Sequence, residues 1–155
     1  MSRKQGLAAA ETEKLIAPDI SMGGNFAYDF EGKFYQTATL YGYVKKENIR
    51  TSYEVLMAIL NSKLCWWFIQ NTGAVMSGGF YRYKPAYINP FPFPSEEKIE
   101  KYHNNLLVLS ESILSAKKSN PKADTSAEEQ EIDQLVYKLY NLTPEEIAIV
   151  ENKNE

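Results

Sequence analysis

Thr51-Ser52-Tyr53-Glu54-Val55-Leu56-Met57-Ala58-Ile59-Leu60-Asn61-Ser62-Lys63-Leu64-Cys65-Trp66-Trp67-Phe68-Ile69-Gln70 is the stretch that decides the fold. Its first four residues have the Thr-x-x-Glu form in which side chains satisfy the free amides of a helix start. Leu56, Ile59, Leu60, Leu64, Trp67 and Phe68 then recur at three- and four-residue steps, so one broad face of a helix over Tyr53–Gln70 is expected to be buried. Met57 and Cys65 lie on the same helix and read as core side chains without a chemical role.

A layer to cover that face is expected from the residues on either side. Lys14–Ala17 reads as a short strand, and Asn25–Val44, rich in Phe, Tyr and Thr, reads as a hairpin or meander turning at Glu31-Gly32. After the helix, Asn71–Gly79 is small and glycine-rich, Phe80–Lys84 is β-like, and Asn89–Pro94 is an extended exit in which Pro90, Pro92 and Pro94 remove alternate backbone donors. The first 13 residues, polar or small, read as a disordered lead-in. The expected fold class is α+β: a small mixed β-sheet, built from the first 50 residues and from about residue 80 to 90, packed on a central helix and followed by a helical C-terminal tail.

That tail starts at Ser95-Glu96-Glu97, and Ile99, Tyr102, Leu106, Leu109 and Ile113 are spaced like the seam of a helical pair. A linker over Ser119–Asp124 follows. Thr125-Ser126-Ala127-Glu128 and Thr143-Pro144-Glu145-Glu146 are two further capping boxes, and Ile132, Leu135, Val136 and Leu139 give the helix after the first of them its apolar face. The organisation read from the sequence is therefore 1–13 lead-in, 14–94 main domain and 95–155 helical tail, the tail packing on the main domain or on another part of a larger protein.

The formal net charge is -3, which taken alone argues against nucleic acid, yet residues 1–94 hold 10 Lys+Arg against 7 Asp+Glu while residues 95–155 hold 7 against 13. Seventeen of the 20 Phe, Trp and Tyr residues also precede Pro94, so a polyanion would meet the first 94 residues. A single cysteine, Cys65, excludes an internal disulfide, and no apolar run reaches the roughly 18 residues of a membrane span. The expectation is a cytoplasmic chain without a membrane partner.

Several constellations touch on catalysis. Pro18-Asp19 with Glu31-Gly32-Lys33 matches the outline of a Mg²⁺-dependent nuclease of the PD-ExK kind, but Glu-x-Lys straddles a turn instead of lying in an apolar strand. Asn89-Pro90-Phe91-Pro92 is similar to the Asn-Pro-Pro-aromatic motif of amino-methyltransferases, with the order disturbed and without a preceding glycine-rich strand–turn–helix to hold S-adenosylmethionine. His103 and Cys65, each the only one of its kind, cannot supply the usual four zinc ligands.

A binding surface is easier to read. Tyr81, Arg82, Tyr83 and Lys84 interleave aromatics with cations just after Ser77-Gly78-Gly79, and Lys45, Lys46 and Arg50 stand on another loop. Arginine can read guanine through two hydrogen bonds, lysine anchors phosphates, and glycines let backbone approach a duplex. Alternation puts Tyr81 and Tyr83 on one face and Arg82 and Lys84 on the other. An ordinary amphipathic strand accounts for the same four residues.

Taken in order, Lys14-Leu15-Ile16-Ala17-Pro18-Asp19-Ile20, Phe26-Ala27-Tyr28-Asp29 with Gly32 and Tyr35, Leu56-Met57-Ala58-Ile59-Leu60-Asn61-Ser62-Lys63, and Gly78-Gly79-Phe80-Tyr81-Arg82-Tyr83-Lys84 leading to Pro90-Phe91-Pro92-Phe93-Pro94 resemble the TaqI-like C-terminal specificity domain. That family serves N6-adenine DNA methyltransferases and fused type II restriction–modification enzymes, and is similar to the target-recognition domains of type I specificity subunits. The resemblance covers roughly residues 14–94. It implies sequence-specific recognition of double-stranded DNA by a chain that is itself non-catalytic. It also implies a methyltransferase domain or subunit as partner, which would bind S-adenosylmethionine and flip the target adenine, whereas this chain holds no cofactor. The chain is then an excised domain, a truncated product or a separately encoded specificity piece. A protein–protein interaction module of the same kind of complex is the second reading and a nuclease the third. Recognition residues are not transferable by motif within the family, so Tyr81, Arg82, Tyr83, Lys84, Lys45, Lys46, Arg50, Ser77, Gly78 and Gly79 are expected to meet DNA on chemistry and position alone.

Overall fold

The computed structural model describes residues 11–152. Their elements run β1 (Lys14–Pro18), β2 (Ile20–Ser21), β3 (Ala27–Asp29), β4 (Leu40–Tyr43), α1 (Tyr53–Asn61), α2 (Lys63–Thr72), β5 (Tyr81–Arg82), α3 (Pro85–Ile88), α4 (Glu96–Glu100), α5 (His103–Ser119), α6 (Ser126–Leu139) and α7 (Pro144–Asn152). This is an α+β fold with a helical C-terminal tail. Among the described residues the strands form two small antiparallel sheets in place of one mixed sheet: β3-β1-β4, and β2 with β5.

The hairpin expected within Asn25–Val44 does not close on itself. β1 lies between its two arms, with Leu15 opposite Tyr28 on one side and Tyr43 on the other. β1 takes the centre because Leu15 and Ala17 are buried and need cover. The turn after β3 is held by Asp29, whose carboxylate accepts from the amides of Lys33 and Phe34 at 3.0 Å and from Lys14 Nζ at 2.5 Å. Burial alone would raise the Asp29 carboxyl, but the bonds from Lys14, Phe34 and Lys33 outweigh it and hold the group below its ordinary value.

The expected single helix is broken in two. Ser62 stands at φ -66°, ψ 156°, extended, and closes α1 while opening α2. Its Oγ donates to Ile59 O at 2.7 Å and accepts from Cys65 N at 3.3 Å, so one hydroxyl serves both ends. Asn61 beside it accepts from Phe26 N at 2.8 Å and donates to Phe26 O at 2.9 Å, which ties the break to the strand layer. A Cβ on Gly24 would stand 2.6 Å from Asn61 Cα, so only glycine admits this approach. At the other end of α1 the cap is Ser52, not Thr51, whose amide instead donates to Glu96 Oε2 at 3.1 Å.

The tail packs on the domain: α5 lies against α1, α6 against α5 and α2, and α7 against α2. Asp133 Oδ1 accepts from Lys63 N at 2.8 Å, and Glu151 binds Lys63 Nζ at 2.6 Å and the Tyr137 hydroxyl at 2.7 Å, so two tail helices secure the start of α2. The single helix expected from Ser95 is interrupted at Lys101 and Tyr102. The capping box at Thr143 forms in both directions, whereas Thr125 gives no side-chain cap and instead donates to Glu129 at 2.6 Å. Of the expected lead-in, residues 1–10 lie outside the described residues; Glu13 O accepts from the Tyr53 hydroxyl at 3.1 Å, so the remainder is anchored. No helix among the described residues is long and apolar enough to cross a membrane.

Candidate nucleic-acid interface

Helix α2 stops at Gly73, where a Cβ would lie 2.6 Å from Ile69 O, and the chain doubles back on itself. Met76 N donates to Phe80 O at 2.6 Å and Arg82 N to Ala74 O at 3.1 Å, with Val75 bridged to Tyr81. Ser77, Gly78 and Gly79 form the exposed tip, and the two glycines take φ of 81° and 82°, a conformation costly to other residues. The returning strand β5 pairs on its other edge with β2, Ile20 opposite Arg82 and Ser21 opposite Tyr81. The outcome is a narrow ribbon carried by α2.

The ribbon's two faces differ as alternation requires. Inward, Tyr81 meets Trp66 edge-on at 5.3 Å and Ser21 is buried. Outward, Arg82 stands opposite Ile20. Tyr83 departs from the expected DNA-contacting role: it has no exposed surface, lying between Phe26 at 5.9 Å and Trp66 at 6.3 Å, so it supports the ribbon from the core. Burial pushes its hydroxyl pKa up. Tyr81 is half-buried for the same reason. Lys84, half-buried, caps α3 through its backbone, its carbonyl accepting from Tyr87 and Ile88.

Arg82 does not wave free. Its Nη1 binds Asp19 Oδ2 at 3.0 Å, the two side chains being 29% and 12% exposed. Asp19 is also fixed through its backbone, donating to Thr39 O at 2.9 Å and accepting from Tyr83 N at 2.7 Å. The carboxylate expected of a nuclease is thus committed to an arginine. Glu31 pairs with Lys33 at 2.6 Å on an exposed turn. That turn follows Asp29, which pairs with Lys14 at the far end of β1 from Asp19, so the two carboxylates are separated by about 15 Å of strand. Among the described residues no three His, Cys, Asp or Glu side chains gather as a metal-binding group.

The second expected cluster lies at that far end too, because Tyr43, just before it, pairs with Leu15. Lys45 is engaged, its Nζ donating to Thr51 O at 3.0 Å and standing 5.1 Å over the Tyr53 ring, while Lys46 and Arg50 are exposed. The structure therefore places Ser77, Gly78 and Gly79 at the turn leading into the strand that carries Arg82, with Lys84 beyond it at the start of α3, while Lys45, Lys46 and Arg50 follow β4, whose Tyr43 hydroxyl donates to Tyr83 O at 2.7 Å. Sequence reasoning missed Asp19 as the holder of Arg82 and missed the exposed apolar residues of the ribbon, Ile20, Met22 and Phe80. The Ile20-Ser21-Met22 alternation was the available signal.

No match was found among curated protein sequences. The family model described as the TaqI-like C-terminal specificity domain matches residues 2–93, which include both sheets, α1, α2, α3 and the whole ribbon. The chain belongs to the TaqI-like C-terminal specificity domain family, and its role is DNA recognition in a methyltransferase system.

Proposed function

We propose that this chain reads the base sequence of double-stranded DNA for an adenine-N6 methyltransferase of a restriction–modification system, and performs no chemistry itself. The observation that carries the reading is the ribbon: strand β5, entered through a glycine turn, flanked by residues 74–76 and β2, and bearing an outward arginine already oriented by a carboxylate. The glycine turn between Met76 and Phe80 is the narrow end of this ribbon and can enter the major groove, which is about 12 Å wide, where an arginine can meet guanine O6 and N7. Lys46 and Arg50, exposed on the loop after β4, would supply phosphate contacts beside the ribbon. S-adenosylmethionine and the flipped adenine belong to the methyltransferase partner in this scheme.

The rival reading, a protein-interaction module, is favoured by an apolar groove of about 340 Å³ lined by Leu15, Val44, Ile49, Leu56, Phe93 and Ile99. Salt separates the two. With about three phosphate contacts, affinity for a duplex falls about 40-fold between 50 and 200 mM salt. Fluorescence anisotropy of a labelled duplex titrated with the chain measures this; no binding at low salt, or a flat salt response, moves the assignment to the interaction module.

A further inference from the structure

We propose that the outward face of the β2–β5 ribbon reads thymine through its 5-methyl group, beside a guanine read by Arg82; this rests on the DNA-reading assignment above. Ile20, Met22 and Phe80 are 42%, 56% and 40% exposed. Ile20 pairs with Arg82 and Ser21 with Tyr81, so continuing the register sets Met22 opposite Phe80. All four outward residues then share one face, since side chains alternate along a strand. The Met22 methyl lies 3.7 Å from where a Gly79 Cβ would be, which places it over the tip of the ribbon.

Isolated exposed apolar side chains are ordinary on a protein surface, but a contiguous set marks a contact. Phosphate offers such a set nothing. In the major groove the apolar feature is the thymine methyl, and it is absent from guanine, cytosine and adenine. The cation in the same face argues for the groove over an apolar protein surface, because Arg82 remains part exposed while Asp19 fixes its direction. Asp19 is then a positioning residue, acting on DNA through Arg82. Along the strand, the Met22–Phe80 row and the Ile20–Arg82 row are about 7 Å apart, which equals about two base-pair steps at 3.4 Å each. A ribbon lying along the groove therefore meets a thymine about two base pairs from a guanine.

The test begins with duplexes selected from a randomised pool by the full chain, then remade with deoxyuridine for thymidine, which removes only the methyl. The selected motif should contain a T·A pair within two or three base pairs of a G·C pair, and each lost methyl should weaken binding about fourfold. Met22→Ser with Phe80→Ser should erase the difference between thymine and uracil while retaining the preference for guanine; both positions are exposed, and far-UV circular dichroism verifies the fold. A motif bound equally well with uracil overturns the methyl contact and leaves DNA reading intact. Persistence of the thymine preference in the serine variant overturns this face as the reader. Failure to select any motif overturns the assignment and this inference together.

Discussion

Asp29→Ala, at a buried position ending β3, should be among the most destabilising polar substitutions in the chain, for reasons that can be followed atom by atom. Lys14 Nζ binds Asp29 Oδ2 at 2.5 Å with the two side chains 0% and 2% exposed. Removing the carboxylate leaves an ammonium without its counter-charge in the interior, and the amides of Lys33 and Phe34 lose their acceptor. Breaking a buried pair from one side typically costs about 3–5 kcal/mol, which for a chain of this size lowers Tm by roughly 10 °C or more. Lys14→Met should cost less, because Asp29 keeps two amide donors and can take up a proton. The Asp29 carboxyl is held below its unfolded value, so its contribution is present above about pH 4 and is lost as pH falls through the folded value. Thermal melting followed by circular dichroism from pH 3 to 7 reads both effects. A Tm shift under about 2 °C at pH 7, or greater damage from Lys14→Met, would refute the reasoning.

Asp133 should behave in the opposite sense: burial, ahead of its other influences, raises its pKa to about 6, so the folded state holds the proton more tightly and stability drops as pH rises from about 4 to 6. Asp133→Asn keeps an acceptor for Lys63 N and should raise stability at pH 7 by about 1–2 kcal/mol, with that slope abolished in urea titrations at several pH values. Gly24→Ala should cost about 1–3 kcal/mol, since the added methyl meets Asn61 backbone at 2.6 Å, and loss of the Asn61–Phe26 pairing should show as faster amide exchange at Phe26. In DNA binding, Arg82→Ala should cost about 1–3 kcal/mol on the selected site alone, whereas Lys46→Ala with Arg50→Ala should weaken all duplexes alike and reduce the salt slope by about 2; the reverse pattern would exchange their roles.

Local signals in the sequence were legible and long-range ones were not. Apolar periodicity located the α1–α2 stretch, and cap chemistry located the starts at Ser95 and Thr143, because those forces act within a few residues. Ser62 was visible as a serine but not as a break: its hydroxyl competes with the helix only because Asn61 and Lys63 are simultaneously held by Phe26 and Asp133 from distant segments. Strand β1 between β3 and β4 likewise depends on pairing that local alternation cannot register. At the candidate interface, the exposed Ser77-Gly78-Gly79 tip and the two-faced Tyr81–Lys84 segment followed from residue types. That the tyrosine face turns inward, burying Tyr83, depends on Trp66 and Phe26, and the partnership of Arg82 with Asp19 spans 63 residues. The local Pro18-Asp19 and Glu31-Gly32-Lys33 pattern offers metal chemistry for Asp19 only as a third reading and carries no sign of Arg82.

Selection of bound duplexes from a randomised DNA pool at low salt, by the chain and by its Arg82→Ala, Lys84→Ala variant, tests the central claim most directly. The account predicts a short enriched motif with the unsubstituted chain and its disappearance in the folded variant. An identical motif selected by both proteins would contradict the ribbon as the reading element, and the absence of any motif would contradict sequence-specific recognition by this chain.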